Sequence, residues 1–161
     1  MVKSNKQYHL AFLSTAWLVI CQTLCLAGAM TMGGSSMEPT LRHGQKVWVS
    51  GYAKGANPER GDIIAFKVEK QVHVKRVIGL PGEKLIFENG LVYLMNQSTL
   101  QKEKLDEPYL APDTVTEPDG EVTVPEGQYF VLGDNRGHSR DSRQYGCIPR
   151  KSIIGKVTKV Y

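Results

Sequence analysis

Val72-His73-Val74-Lys75-Arg76-Val77-Ile78-Gly79-Leu80-Pro81-Gly82-Glu83-Lys84-Leu85-Ile86-Phe87-Glu88-Asn89-Gly90-Leu91-Val92-Tyr93-Leu94-Met95 is the stretch that decides the fold. Apolar and β-branched residues dominate 72–78, 84–87 and 91–95, and turn formers part them at Leu80–Glu83 and at Glu88-Asn89-Gly90. Asn-Gly between two apolar runs is a strong hairpin signal, because both residues tolerate the positive φ that a tight primed turn requires. Outward from this core, Lys46–Ser50, Ile63–Val68, Gln128–Leu132 and Ile153–Val160 read as further short strands, with Arg60-Gly61-Asp62 as a turn. The expectation is a mainly β domain of sheets or a barrel. Residues 96–127 are polar, carry Pro108, Pro112, Pro118 and Pro125, and read as a loop-rich insertion between core strands.

Bulk properties narrow the function. The chain has 161 residues and a net charge of +4 with both signs interspersed, and no basic run with interleaved aromatics suggests nucleic acid. Its four histidines are scattered, and of its three cysteines Cys21 and Cys25 share one apolar segment while Cys147 stands alone. Neither a disulfide framework nor a metal site follows from that spacing, and no cofactor is signalled. Leu10 to Met32 holds no charged residue, whereas Lys3 and Lys6 precede it. A helix of roughly 20 apolar residues crosses a bilayer. The expected organisation is a cytoplasmic N-terminus (1–9), a transmembrane anchor (10–32) and an extracytoplasmic domain (33–161), single-pass in the plasma membrane with N in and C out. A cleaved secretory signal ending in the small residues Ala27-Gly28-Ala29 is the rival reading.

Three motifs carry chemistry. Ser36 lies in Gly33-Gly34-Ser35-Ser36-Met37-Glu38-Pro39-Thr40-Leu41, just past the apolar segment. Glycines before it and a proline after it suit a tight turn that presents a hydroxyl, although Gly-Gly-Ser-Ser alone reads equally as a flexible linker. Lys75 and Arg76 are adjacent in a strand, so they face opposite sides. They are either solvated edge charges or one of them faces inward, where burial lowers a lysine's pKa and makes its amine a base. The third motif, Gly133-Asp134-Asn135-Arg136-Gly137-His138-Ser139-Arg140-Asp141-Ser142-Arg143, is a charge-dense turn that by itself reads as a solvated loop.

Together these motifs resemble type I signal peptidases, in the short single-anchor form common in Gram-positive bacteria. Ser36-Met37-Glu38-Pro39-Thr40 matches the Ser-Met-x-Pro-Thr signature, and Lys75 to Gly82 matches Lys-Arg-x-x-Gly-x-Pro-Gly. The resemblance implies a membrane-bound serine endopeptidase with Ser36 as nucleophile and Lys75 as general base. It implies that the Ser36 backbone N–H serves the oxyanion, that Ser139 and Asp141 brace the lysine and its loops, and that Asp141 pairs with Arg143 and Asp134 with Arg76. The implied partners are the bilayer and exported preproteins cut after Ala-x-Ala-like sites; Met37 and the Ile63-Ile64 pair read either as lining of small pockets or as plain core. Gly34 stands where some relatives carry a serine as second oxyanion donor, and His73 where many carry an aromatic residue. His138 has no matching role. Two alternatives are soluble self-cleaving repressors, disfavoured by the apolar segment, and a non-catalytic or specialised relative serving surface-protein or pilus assembly.

Overall fold

The computed structural model describes residues 28–161, and residues 10–27 of the expected 10–32 anchor lie outside them. Eleven strands occur in chain order: β1 (Gly28–Thr31), β2 (Lys46–Ser50), β3 (Ile63–Val68), β4 (Gln71–Gly79), β5 (Lys84–Glu88), β6 (Leu91–Met95), β7 (Lys102–Lys104), β8 (Gly120–Thr123), β9 (Gln128–Leu132), β10 (Ile148–Pro149) and β11 (Ile153–Val160). Seven form one sheet in the order β1-β2-β11-β3-β4-β9-β10, and four form a second in the order β7-β6-β5-β8. Among the described residues no helix is long and apolar enough to cross a membrane. The short helix Ser142–Tyr145 is capped by the Asp141 side chain.

Strand β4 is internal. It pairs antiparallel with β3 on one side (Ile63 opposite Arg76, Phe66 opposite His73) and with β9 on the other (Arg76 opposite Leu132). Solvated edge charges are therefore ruled out for Lys75 and Arg76, which are 4% and 8% exposed. Asn89 (φ 52°) and Gly90 (φ 77°) close the β5–β6 hairpin in the left-handed backbone that the pair favours.

Two expectations need correction. The apolar segment does not continue uniformly to Met32 as a helix: Gly28–Thr31 is an edge strand on β2, and Met32 is buried with Met37, Leu41, Val47 and Val49. Pairing satisfies the backbone of 28–31, and burying Met32 and Met37 contributes on the order of 2–3 kcal/mol each. The 96–127 stretch is more than loop, because it supplies both outer strands of the second sheet, β7 on β6 and β8 on β5. Its proline-rich composition hid two strands of three and four residues. Between the sheets, Ile78, Leu85, Phe87, Val92, Val124, Phe130 and Leu132 form one core cluster.

Gly155 allows the close approach of β11 to β2: a Cβ there would collide with the Ser50 carbonyl oxygen. Gly155→Ala is expected to destabilise the domain by about 2 kcal/mol, the usual scale of overpacking. A urea midpoint unchanged from wild type would contradict this.

Candidate active site

The turn after β1 carries Ser36. It is held by the Glu38 N–H bonding to the Ser35 carbonyl (3.1 Å) and by Leu41 N–H to the Met37 carbonyl (2.8 Å). Fully buried Met37 and Leu41 anchor the turn in the core. Met37 and Ile64 are thus core residues and line no pocket at Ser36, since Ile64 packs with Phe66, Val77 and Val131.

Lys75 reaches Ser36 from β4. Its Nζ donates to Ser36 Oγ at 2.7 Å and to the Val74 carbonyl at 3.0 Å, and no carboxylate is among its partners. Burial pushes the amine down from its ordinary value to about 8, although the Asp141 and Asp134 charges pull the other way. A lysine that loses its proton so easily can accept one from the hydroxyl it touches. Ser36 and Lys75 share a cavity of about 300 Å³ walled by Met30–Gly34 on one side and Val72–Val74 on the other.

Arg76 projects from the opposite side of β4 and is held by an ion pair. Its Nε and Nη2 bond to the Asp134 carboxylate at 2.9 and 2.6 Å, its Nη1 bonds to the Gly61 carbonyl at 3.0 Å, and Tyr109 stacks on its guanidinium at 3.8 Å. The loop 133–143 then closes over the turn: the Asn135 N–H bonds to the Ser36 carbonyl at 3.1 Å, and Asn135 Nδ2 to the Ser35 carbonyl at 3.2 Å. Asp141 pairs with Arg143 (2.9 Å) and accepts from the Gly133 N–H (3.0 Å). Burial pushes its carboxyl up, but these hydrogen bonds outweigh that and hold it below the usual range.

Ser139 lies in the same loop: its Oγ is buried against Gly133, where an added Cβ would collide with it, and its hydroxyl helps hold the Asp141 carboxyl down. Among the described residues it makes no hydrogen bond to Lys75. His138 is exposed, and among the described residues its ring hydrogen-bonds to the Asn135 side chain at 3.3 Å, with no bond to Ser36 or Lys75. His73 lines the cavity and stacks against Phe66 and Tyr145, with centroids 5.8 and 5.6 Å apart. Burial, then the nearby charges of Lys75 and Arg140, lower its pKa and favour the neutral ring.

A family model described as signal peptidase, peptidase S26, matches residues 5–161. The chain belongs to this peptidase family. It is 38% identical over 149 residues to signal peptidase IB of Staphylococcus aureus strain Mu50, covering 80% of this chain and 74% of that one. It is 40% identical over 139 residues to signal peptidase I of Bacillus caldolyticus, covering 77% and 73%. A crystal structure of a signal peptidase I from Enterococcus faecalis V583 superposes with a TM-score of 0.54 at 35% identity, covering 64% of this chain and 98% of that one. The chain is accordingly a serine endopeptidase with the mainly β signal peptidase fold.

Around this peptidase site, several residues escaped the sequence reading. Arg136, 2% exposed, donates through Nε to the Gly133 carbonyl (3.1 Å) and through its two other nitrogens to Thr116 and Glu107 of the insertion. Buried charge pairing between segments so far apart in sequence leaves no local pattern; the density of arginines in 136–143 was its one signal. Gly133 is the tightest point of the loop, because a Cβ there would also collide with the Ser36 carbonyl oxygen. Gly133→Ala is expected to displace the Ser36 turn and lower kcat/KM at least tenfold while the domain stays folded, as read by peptide cleavage beside circular dichroism.

Proposed function

We propose that Ser36 and Lys75 form the catalytic dyad that removes signal peptides from exported preproteins. The observation carrying this reading is a nucleophile-grade contact, Ser36 Oγ to Lys75 Nζ at 2.7 Å, made by an amine whose pKa burial brings to about 8. Neutral Lys75 takes the Ser36 proton as Oγ attacks the scissile carbonyl, and the Ser36 N–H faces the developing oxyanion. The tetrahedral intermediate collapses with the C–N bond broken, and the Lys75 ammonium gives its proton to the leaving amine. The signal segment is then an ester on Ser36. Lys75 next deprotonates a water, which attacks that ester, and the lysine returns the proton to Ser36 Oγ.

The substrate reading rests on the cavity. One wall runs from the end of edge strand β1 (Met30, Thr31) through Met32–Gly34 and the other is Val72–Lys75 of β4, and the free edge of β1 suits a peptide lying as an added strand. Gly33 and Gly34 present no side chain there, and nothing lies within 4 Å of where their Cβ atoms would be. The preference for small side chains before the cut, an Ala-x-Ala-like site, is what the motif resemblance implies. The charge-free stretch upstream of β1, with Lys3 and Lys6 before it, supports a single anchor with the peptidase domain outside the plasma membrane. A nucleophile on the turn that follows β1, downstream of that stretch, would meet the signal sequence near where it leaves the bilayer.

Wild-type protein is expected to cut a preprotein bearing an Ala-x-Ala site in detergent, with Ser36→Ala and Lys75→Ala reduced by about 10³ or more, as when members of a hydrolytic triad are removed. Robust cleavage by either variant would reject the dyad. The pH profile should share the dyad's signature. Protonated Lys75 is inactive, so kcat/KM rises with pH and levels off above about 8. Asp141→Asn removes a negative charge that stabilises the ammonium, so the rise should move to lower pH; a shift upward would contradict the electrostatic account.

A further inference from the structure

A second cavity, about 410 Å³, lies on the far side of the Ser36 turn. One wall is formed by Glu38, Pro39 and Arg42, from the turn itself and the residues after it. The other is Ala111 and Thr114 from the insertion, and Asp134 and Asn135 of the loop 133–143 complete the lining. Asn135 also bonds to the Ser35 and Ser36 carbonyls, which ties this cavity's lining to the turn that carries the serine.

The insertion wall is built, not draped. The buried Arg136 guanidinium donates to both Glu107 and Thr116, which bracket the segment carrying Ala111 and Thr114. One side chain thereby pins both ends of that segment to the loop holding Ser36. Arg143 adds a bond of 2.8 Å to the Glu117 carbonyl, and Thr114 Oγ1 closes the segment's own turn onto the Ala111 carbonyl at 2.7 Å. A loop fixed this firmly beside a nucleophile presents a preformed surface, so a peptide laid on it forfeits little ordering entropy there.

We propose that this groove binds the mature side of the preprotein, the residues just after the cut, and that Ala111 and Thr114 determine specificity there. The proposal rests on Ser36 and Lys75 being the dyad. With the signal side lying along Met30–Gly34, the chain beyond the scissile bond leaves Ser36 toward Asn135 and enters the groove. An extended peptide rises about 3.3 Å per residue, so a few residues suffice to cross it. Among its lining residues Pro39 and Ala111 offer apolar contact, and Glu38 and Arg42 carry charges of opposite sign. The occupant is an extended segment with small or uncharged side chains. Binding energy from these residues acts on the bond being broken and so appears in kcat/KM.

The test uses the full chain in detergent and two peptides with the same signal side. One ends after a single mature residue, and the other continues for about five. Wild type is expected to show a long-to-short ratio of kcat/KM of about tenfold, the scale of a few pocket contacts. Ala111→Trp and, independently, Thr114→Trp fill the groove and should bring the ratio toward one. A wild-type ratio already near one, or a ratio unmoved in both variants, overturns the groove while leaving the dyad standing. Wild type that cuts neither peptide overturns the dyad reading itself, and the groove with it.

Discussion

Strand β4 buries two consecutive basic residues and treats them oppositely. Alternation sends Arg76 to one side, where Asp134, Gly61 and the face of Tyr109 satisfy its guanidinium. Lys75 goes to the other side, where a hydroxyl and a carbonyl are its partners. A buried ion pair is neutral overall and keeps its proton; removing one partner of such a pair costs about 3–5 kcal/mol. A buried amine without a carboxylate has a cheaper escape, which is to lose its charge. The chemistry of the site depends on this asymmetry, and the asymmetry depends on β4 being flanked on both sides by other strands.

Arginines do the structural work that the lysine cannot. Arg76, Arg136 and Arg143 each hold a carboxylate and at least one backbone carbonyl, and together they tie the turn at Gly61, the loop 133–143 and the insertion to one another. A planar guanidinium with five donors suits this role, because it can bond in several directions while remaining charged. The Asn135 contacts then pass that rigidity to the carbonyls of Ser35 and Ser36. The nucleophile stands on a turn, yet the turn is fixed from below by Met37 and Leu41 and from the side by the loop. Positioning of this kind is what a proton transfer over 2.7 Å requires.

Much of this was legible in the chain. Apolar, β-branched and aromatic runs between turn formers located the strands at 46–50, 63–68 and 91–95, and Asn89-Gly90 located a hairpin, because those signals are local. Ser36, Lys75 and the ion-pairing residues stood out through motif resemblance. Gly28–Thr31 was read with the apolar run before it, since an edge strand of small and apolar residues has no local mark that separates it from a helix end. Met37 and Ile64 read equally as pocket or core, and only packing distinguished them. Strands β7 and β8 lie in proline-rich surroundings, where composition argues for loop while pairing with β6 and β5 overrides it.

Residue type and spacing specify the β class and the Asn89-Gly90 hairpin, and motif resemblance supplies the candidates for the reactive pair, because those signals sit in neighbouring positions of the chain. Tertiary contacts settle that Lys75 lacks a carboxylate partner while Arg76 has one, that Arg136 staples the insertion beside Ser36, and that Ser139 faces Gly133. Each of these is set by which distant groups meet in the low-dielectric interior. Proton affinity and ion pairing arise from those meetings, and chain order does not encode them locally.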